Sequence, residues 1–444
     1  MVLKAVIISL ISFNGGNCFL FKLKKVRFKS TQSRNAALNN LNGIFQYISI
    51  NMVASFAGLF IKRLNASDNL VSMLNSLPAF FSVVAIIIGT RFASNCKNKK
   101  KIASLLFLTA RSFYLLMAFI TLINEKYRAL FFVFLYSSLN FPGSIANFMW
   151  QSFFADTFKP SDRGKYLSIR NTLSTAAGTI TTLSAGVILS KYAKGENFLR
   201  YYQIAFVTAF IFGILEVITL YLHKENKNNS FIEVSTGDNP LSFKFLKTML
   251  KQKKYVYFMI GVIAFHFSWQ MGWPLFLTYE VDVLHTNELW SGIITTINGI
   301  FMAIGYTYWR KFTEKNGNTL GLALGAVGMA FNPILYIFAR NMRHVAYFTG
   351  IIGFSQSAVL LMLLNILYEI SPRENRTTYI AFYNLATNLT LIVAPWVGMK
   401  IYKLIDFKDS FVLIAALRLA SSLLFIKKPK NLSEDPSVCI NVTK

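Results

Sequence analysis

Long apolar segments alternate with short polar ones along most of this chain. Each apolar segment holds about 20 or more residues, which is the length that a helix needs to cross a bilayer. Lipid offers the backbone no hydrogen-bond partner, so such segments must be helical. The pattern predicts an all-α, polytopic membrane protein with twelve spans, numbered here in chain order, at residues 42–61, 69–91, 102–123, 127–150, 165–190, 201–223, 255–280, 289–310, 318–339, 345–369, 376–400 and 409–427.

One polar block occurs twice, with an acid, an arginine, a tyrosine and an asparagine at the same spacing, 213 residues apart. The copies consist of Asp156, Arg163, Tyr166 and Asn171, and of Glu369, Arg376, Tyr379 and Asn384. They differ where Arg170 corresponds to Tyr383. Both copies lie in polar connections between spans. The chain is therefore predicted to contain two similar six-helix halves, a doubling that is typical of transporters.

The basic residues are unevenly distributed between the two sides of this predicted topology. The net charge is +27, from 46 Lys and Arg against 19 Asp and Glu. The chain ends and alternate connections hold 30 of these basic residues, and the other connections hold 12. Lys and Arg remain mostly on the cytoplasmic side. We therefore predict cytoplasmic termini in a multi-pass protein of a bacterial cell membrane, and we expect no nucleic-acid partner.

The chain is predicted to have five parts. They are a cytoplasmic N-terminal segment (1–35), a first half (36–223), a cytoplasmic linker (224–254), a second half (255–430) and a cytoplasmic tail (431–444). Residues 5–13 are too few to span. We expect an interfacial segment there, with a signal peptide or an extra membrane segment as alternatives. Residues 241–254 mix apolar and basic positions and either lie on anionic headgroups or form a solvated connector.

Motifs for other kinds of chemistry are missing from the sequence. Cys18, Cys96 and Cys439 are scattered, as are the four histidines, and neither set has the spacing of a metal site. The chain holds no phosphate-binding loop, dinucleotide fingerprint or nucleophile elbow. We therefore expect no metal, no cofactor and no enzymatic activity.

The twelve spans, their division into six and six, and the basic loop after span 2 resemble the major facilitator superfamily over about residues 36–430. The family's signature loop, broadly G-x-x-x-D-R-x-G-R-[RK], is degraded in this chain. Residues 95–101 keep its basic cluster, and Glu314, Lys315 and Gly317 keep its acid, base and glycine in the second half. The repeated polar blocks resemble the family's loops after spans 4 and 10. Residues 269–276 resemble poorly characterised bacterial permeases.

The resemblance implies that the two halves rock about a central cavity lined by spans 1, 4, 7 and 10. It also implies charged gates at the cytoplasmic face, in which basic groups at 97–101 pair with Asp156 and those at 310–315 with Glu369. The alternative is that these charges only fix the topology. The predicted gate residues are Lys97, Lys99, Lys100, Asp156, Arg163, Arg170, Glu314, Lys315, Glu369 and Arg376.

Span 7 carries the strongest candidate for substrate binding. His266, Trp269, Gln270 and Trp273 share one helix face, and they suit a polar ligand with a flat apolar side, such as a sugar, nucleoside or aromatic drug. Packing against a neighbouring helix is the competing interpretation. The other candidate substrate-binding residues, each with the same alternative, are Asn51, Asn140, Asn147, Gln356 and Asn365.

The sequence does not define the coupling ion, because the cavity spans carry no carboxylate near mid-membrane. Protons (through His266), sodium or no coupling remain open, as do the substrate and the direction of transport. We expect Glu216 to pair with Arg111, whereas Arg418 has no obvious partner. The predicted protein is a monomer in the lipid bilayer that carries a small molecule. The alternative is a non-transporting scaffold or sensor with the same fold.

Overall fold

A computed structural model describes residues 30–94, 98–158, 160–224, 249–372 and 376–426. The described elements are all helical, with no strand among them. Several predictions lie outside what the structure describes. They concern Lys97, the side chain of Arg376, the apolar run at 5–13, most of the linker and the C-terminal tail.

The helices follow the predicted order of spans. Those of the first half are Thr31–Ala54 and Ala57–Arg63 (span 1), Asp68–Ser94 (span 2), Lys99–Ala118 (span 3), Glu125–Ser138 and Asn140–Thr157 (span 4), Pro160–Tyr192 (span 5) and Phe198–Tyr221 (span 6). Those of the second half are Lys253–Asp282 (span 7), Glu288–Asn316 (span 8), Asn318–Ile337 (span 9), Met342–Ile370 (span 10) and Arg376–Ile426 (spans 11 and 12).

Ten helices of the described chain are long and apolar enough to cross a membrane, by length and composition. One of them, Tyr379–Phe425, contains both spans 11 and 12, which meet at a sharp bend where Asp406 has a φ of 71°. Lys253–Asp282 falls outside the ten because polar side chains such as His266 and Gln270 interrupt its apolar sequence. With these two helices counted as spans 7, 11 and 12, the predicted all-α membrane architecture is confirmed.

Span 1 begins earlier than the sequence predicted, at Thr31 instead of residue 42. The reason is that its first polar residues are buried in the bundle. Asn35 Nδ2 donates to the carbonyl of Lys224 at 2.9 Å, and Asn42 Nδ2 donates to the backbone carbonyl of Glu216 at 2.9 Å. An asparagine-rich segment that reads as a loop is therefore the first part of a membrane helix.

The main apolar cluster of the first half includes Met399 of span 11, and the largest contacts between the halves lie along two pairs of spans. In the first half, Phe60 packs with Phe132 and Phe206, and in the second, Met271 packs near Phe411. Between the halves, span 5 packs against span 8 and span 2 against span 11. We call the face where span 1 begins and span 12 ends the terminal face, and the opposite face the far face.

Candidate functional site

A cavity of about 670 Å³ lies in the wall of the first half. It is lined by spans 1, 4 and 5, and its lining mixes aromatic rings with amides and one cation. Trp150, Phe154 and Leu167 supply apolar surface, and Asn51 and Asn147 supply amides. Two of the predicted substrate-binding asparagines therefore face one cavity. Its volume lies in the range of roughly 300–1,000 Å³ that is usual for pockets that bind small organic molecules.

Arg170 is the cation of this cavity. Its side chain is only 5% exposed, and its guanidinium carbon lies 4.2 Å from the ring centre of Trp150. Nη2 donates to Gln46 Oε1 at 2.6 Å and to Asn42 Oδ1 at 3.4 Å, while Nε has no hydrogen-bond partner among the described residues. The sequence placed Arg170 among the gate residues, whereas the structure places it in the cavity wall.

Small residues allow spans 1 and 5 to approach closely at this site. A Cβ at Gly43 would lie 2.3 Å from Ser174 Oγ and 2.8 Å from Arg170 Cγ. A Cβ at Gly178 would lie 2.7 Å from Asn51 Nδ2. Both glycines therefore set how the arginine and the asparagine are presented to the cavity.

The carboxylate of Glu216 is already occupied by another arginine. Arg111 Nε lies 2.8 Å from Glu216 Oε2, and Arg111 Nη2 lies 3.3 Å from Oε1. Glu216 is fully buried, and Arg111 nearly so. The expected pair between spans 3 and 6 is therefore present, and it leaves Arg170 as a separate positive charge.

The other predicted asparagine and glutamine ligands bond to their own span or to a neighbouring one. Asn140 Nδ2 donates to the carbonyls of Tyr136 and Ser137 at the break in span 4. Gln356 Oε1 accepts from Asn298 Nδ2 at 3.3 Å, and Asn365 Nδ2 donates to Asn318 Oδ1 at 3.2 Å. These three residues are not part of the cavity lining.

The stripe on span 7 packs mainly against span 11. His266 Nε2 lies 3.4 Å from the hydroxyl of Tyr383, and its Nδ1 has no partner in the described chain. Gln270 donates to the carbonyl of Thr387 at 3.2 Å and accepts from Thr390 at 2.7 Å. The rings of Trp269 and Trp273 lie 5.8 Å apart and nearly perpendicular. None of these four residues lines the cavity of the first half.

Arg418, for which the sequence suggested no partner, is fully buried and held by backbone oxygens. Nη1 donates to the carbonyl of Met329 at 3.0 Å, and Nη2 donates to that of Trp269 at 3.1 Å. It therefore ties span 12 to spans 7 and 9. Among the described residues, no group of His, Cys, Asp and Glu is arranged to hold a metal ion.

The predicted gate residues whose side chains the structure describes lie at the terminal face, apart from Arg170. Lys99 Nζ lies 2.8 Å from Asp156 Oδ2, so the expected contact between these residues is present. Arg163 Nε donates to the carbonyl of Phe158 at 3.0 Å. Glu369 accepts from the side chain of Asn318 rather than from a base at 310–315. Glu314 and Lys315 are exposed on the last turn of span 8.

Basic residues also cap the end of span 6 at this face. Lys100 Nζ donates to the carbonyl of His223 at 2.9 Å, and Arg34 donates to that of Leu222 at 3.2 Å. Positive charge is favourable at a helix C-terminus, where carbonyls lack partners. His223 itself is buried, which disfavours its charged form and lowers its pKa to about 4.

A set of ion pairs joins the two halves at the far face, and these pairings were not predicted from the sequence. Arg63 Nη2 lies 2.7 Å from Glu288 Oε2, and the fully buried Glu288 also accepts from Tyr202 Oη at 2.8 Å. Lys62 Nζ lies 2.8 Å from Asp282 Oδ2. Lys403 Nζ lies 3.7 Å from Asp68 Oδ2. The opposite charges of these connections were the only available signal, and it does not identify partners.

The three ion pairs between the halves described above all lie at this face. Spans 5 and 8 also approach closely there. A Cβ at Gly186 would lie only 2.7 Å from the carbonyl of Glu288. The cavity lies nearer the terminal face, along the first part of span 5. These three pairs therefore lie on the side of the molecule away from the cavity.

Comparisons with known proteins agree with this architecture. A relative from Lactococcus lactis, named a multi-drug resistance efflux pump PmrA homolog, is 22% identical over 57% of this chain and 61% of its own length. The match thus spans less than two thirds of that relative. A bacterial homolog of the human lysosomal transporter Spinster, solved in an inward-facing conformation, has a TM-score of 0.65 and 13% identity over 90% of this chain and 98% of its own.

A D-xylose-proton symporter structure likewise has a TM-score of 0.65, with 17% identity over 90% of this chain and 98% of that one. At these identities the structures support the fold alone. The family model described as Major Facilitator Superfamily matches residues 40–331 and 258–438, which together cover most of the sequence. This chain belongs to the Major Facilitator Superfamily.

Proposed function

We propose that this protein is a secondary transporter that carries a small organic solute across the cell membrane by alternating access. The observation that carries the proposal is the position of the ion pairs between the halves. They join the halves at the far face, through Arg63 with Glu288 and Lys62 with Asp282, while the cavity lies toward the terminal face. A solute can then enter from one side only, and access from the other side requires the pairs to separate.

The charges at the far face suit such a switch. Arg63 and Asp282 are partly exposed, so water weakens these pairs relative to pairs that are buried on both sides. Two conformations that differ by a few kcal/mol can then both be populated. We infer that the repeated blocks at Asp156 and Glu369 close the terminal face in the other conformation.

The cavity lining and His266 suggest the class of solute and the means of coupling. The Lactococcus relative carries the name of a multidrug efflux pump, and the cavity has aromatic walls, so we propose a small, partly aromatic solute. His266, with an unpaired Nδ1, is the candidate for proton coupling, and sodium coupling or uniport are the alternatives. We propose a monomer with both termini in the cytoplasm of a bacterial cell.

Distance measurements between spin labels test alternating access without a known solute. Cys18, Cys96 and Cys439 are replaced by serine, and exposed positions are labelled in pairs across the halves. Lys194 with Val283 reports on the far face, and Lys165 with Lys311 reports on the terminal face. We expect Glu288→Gln, which removes the charge that holds Arg63, to lengthen the first distance and shorten the second.

Glu125→Gln is the matched control, because Glu125 pairs with Arg128 within span 4 and does not join the halves. It should leave both distances unchanged. If Glu288→Gln changes neither distance, or changes the far-face distance alone, the halves do not exchange access and the proposal is wrong. A rigid pair of distances in every variant would instead favour a scaffold or sensor.

A further inference from the structure

We propose that the cavity of the first half binds the anionic group of a flat organic acid on Arg170, with the apolar part of that acid against Trp150. Trp150 would carry the face-to-face contact, and the neighbouring aromatic and aliphatic walls would enclose the rest. The inference deepens the proposed transport function, because it names the class of solute that the same cavity would accept.

The charges around the cavity favour an anion. Arg170 is buried and has no ion-pair partner among the described residues. The buried acid on span 6, Glu216, is bound by two nitrogens of Arg111. Asp156, at the end of span 4, is bound by Lys99. A buried arginine held only by neutral groups keeps a net positive charge, which a carboxylate, sulfonate or phosphate would neutralise.

The neutral partners of Arg170 hold the guanidinium in place without cancelling its charge. Gln46 and Asn42 accept hydrogen bonds from one of its nitrogens, and Trp150 stacks on its face. Asn42 is itself anchored by its bond to the carbonyl of Glu216. A fixed guanidinium loses little further freedom when it binds an anion. Nη2, one nitrogen of its planar fork, is engaged by Gln46 and Asn42, so an acid group would bind through the remaining donors.

The rest of the lining selects a flat molecule and disfavours a cation. Tyr47, Trp150, Phe154 and Leu167 surround the cavity with apolar surface, and Asn51 and Asn147 can bond a polar substituent. The lining contains no carboxylate. A cationic aromatic solute of the same size would therefore find stacking surface but no counter-charge, and it would be repelled by Arg170.

Three probes with one ring system and different charges test the proposal. They are 1-naphthoate, its neutral amide 1-naphthamide, and the cation 1-naphthylmethylammonium, titrated against the purified full-length protein by thermal shift. A ligand that binds the folded state raises its stability. We expect naphthoate to bind at least tenfold more tightly than the amide, and the cation to bind most weakly. A protein that prefers either other probe, or that binds none, overturns the proposal.

Variants of the cavity lining test which residue causes the preference for naphthoate over the amide. Arg170→Gln should remove the preference for naphthoate over the amide, and Arg170→Lys, which keeps the charge but not the fork, should keep part of it. Arg200→Gln is the matched control, because Arg200 is exposed on span 6 away from the cavity. A naphthoate preference that survives in Arg170→Gln contradicts the assignment.

Gln46→Glu provides a test that keeps the arginine and avoids a destabilised fold. The new carboxylate would lie at the position of Gln46 Oε1, 2.6 Å from Arg170, and would neutralise it from within. We expect a loss of at least tenfold in naphthoate affinity with little change for naphthamide. Equal naphthoate binding by this variant and the natural sequence overturns the proposal.

Transport of radiolabelled naphthoate into proteoliposomes separates this inference from the proposed function. Binding without uptake would retain the anion site and count against transport of this class. Spin-label distances that exchange as predicted, in a protein indifferent to naphthoate, would retain the transporter and discard the anion site.

Discussion

Arg111, Arg170 and Arg418 lie deep in the helical bundle, and each is accommodated differently. Arg111 is paired with the buried carboxylate of Glu216, Arg170 is held by amides and an indole ring, and Arg418 by backbone carbonyls. Charge in a membrane span is costly, so each arrangement indicates a distinct purpose. The first and third join helices, while the second faces a cavity.

The Arg111–Glu216 pair gives a prediction about stability. Glu216→Gln leaves the arginine buried without its counter-charge, so we expect the free energy of unfolding to fall by about 3–5 kcal/mol. Replacing both residues by apolar ones, as Arg111→Met with Glu216→Leu, should recover most of the loss. Thermal unfolding in detergent measures both. A single variant as stable as the natural protein would show that the pair is not needed in the bundle.

The sequence was informative about these residues to different degrees. Arg111 and Glu216 are opposite charges inside two spans of one half, so their pairing followed from the cost of leaving them apart. The place of Arg170 did not follow, because it depends on where span 5 begins and on how spans 1 and 4 pack beside it. Arg418 was not predictable either, since backbone carbonyls leave no signal in the sequence.

At the scale of helices, the sequence predicted the spans well and their ends poorly. Span 5 begins at Pro160 rather than at 165, and span 8 continues to Asn316 rather than ending at 310. These two helices extend beyond their apolar segments, and polar helix ends cannot be distinguished from loops by composition. Span 4 is likewise two helices that meet at Leu139, which the apolar pattern hides.

The contact between spans 5 and 8 depends on one glycine. A Cβ at Gly186 would lie 2.7 Å from the backbone carbonyl of Glu288, which cannot move aside as a flexible side chain would. We expect Gly186→Ala to lower the melting temperature and to lengthen the Lys194–Val283 distance, because overpacking a tight contact commonly costs about 1–3 kcal/mol.

Gly299→Ala is the control for this change. Gly299 lies in span 8, and a Cβ there meets no atom within 4 Å. The alanine should leave the melting temperature unchanged or raise it slightly, since alanine favours helix over glycine. Equal melting temperatures for the two variants would mean that the far-face contact is not tight.

For the molecule as a whole, the distribution of Lys and Arg predicts which face lies inside the cell. Cysteines placed singly at Lys194 and Lys311, in the cysteine-free background, test this with a membrane-impermeant maleimide on intact cells. Both positions are exposed. In intact cells we expect the cysteine at 194 to be labelled and the cysteine at 311 to be protected. In inverted vesicles we expect the opposite result. Labelling at 311 from outside the cell would reverse the assigned orientation.

The tight contact at Gly186 is also a point about which span 5 could pivot. Gly186 and Lys165 lie on one continuous helix, about 30 Å apart at a rise of roughly 1.5 Å per residue. If span 5 pivots near Gly186, a tilt of about 10° sweeps its other end through roughly 5 Å, the width of a phenyl ring or a carboxylate with its hydration. Arg170 lies along the same lever and travels with it. A slight adjustment beside Glu288 is then amplified into a lateral displacement of roughly 4 Å at Arg170, which would widen or narrow the cavity toward the terminal face.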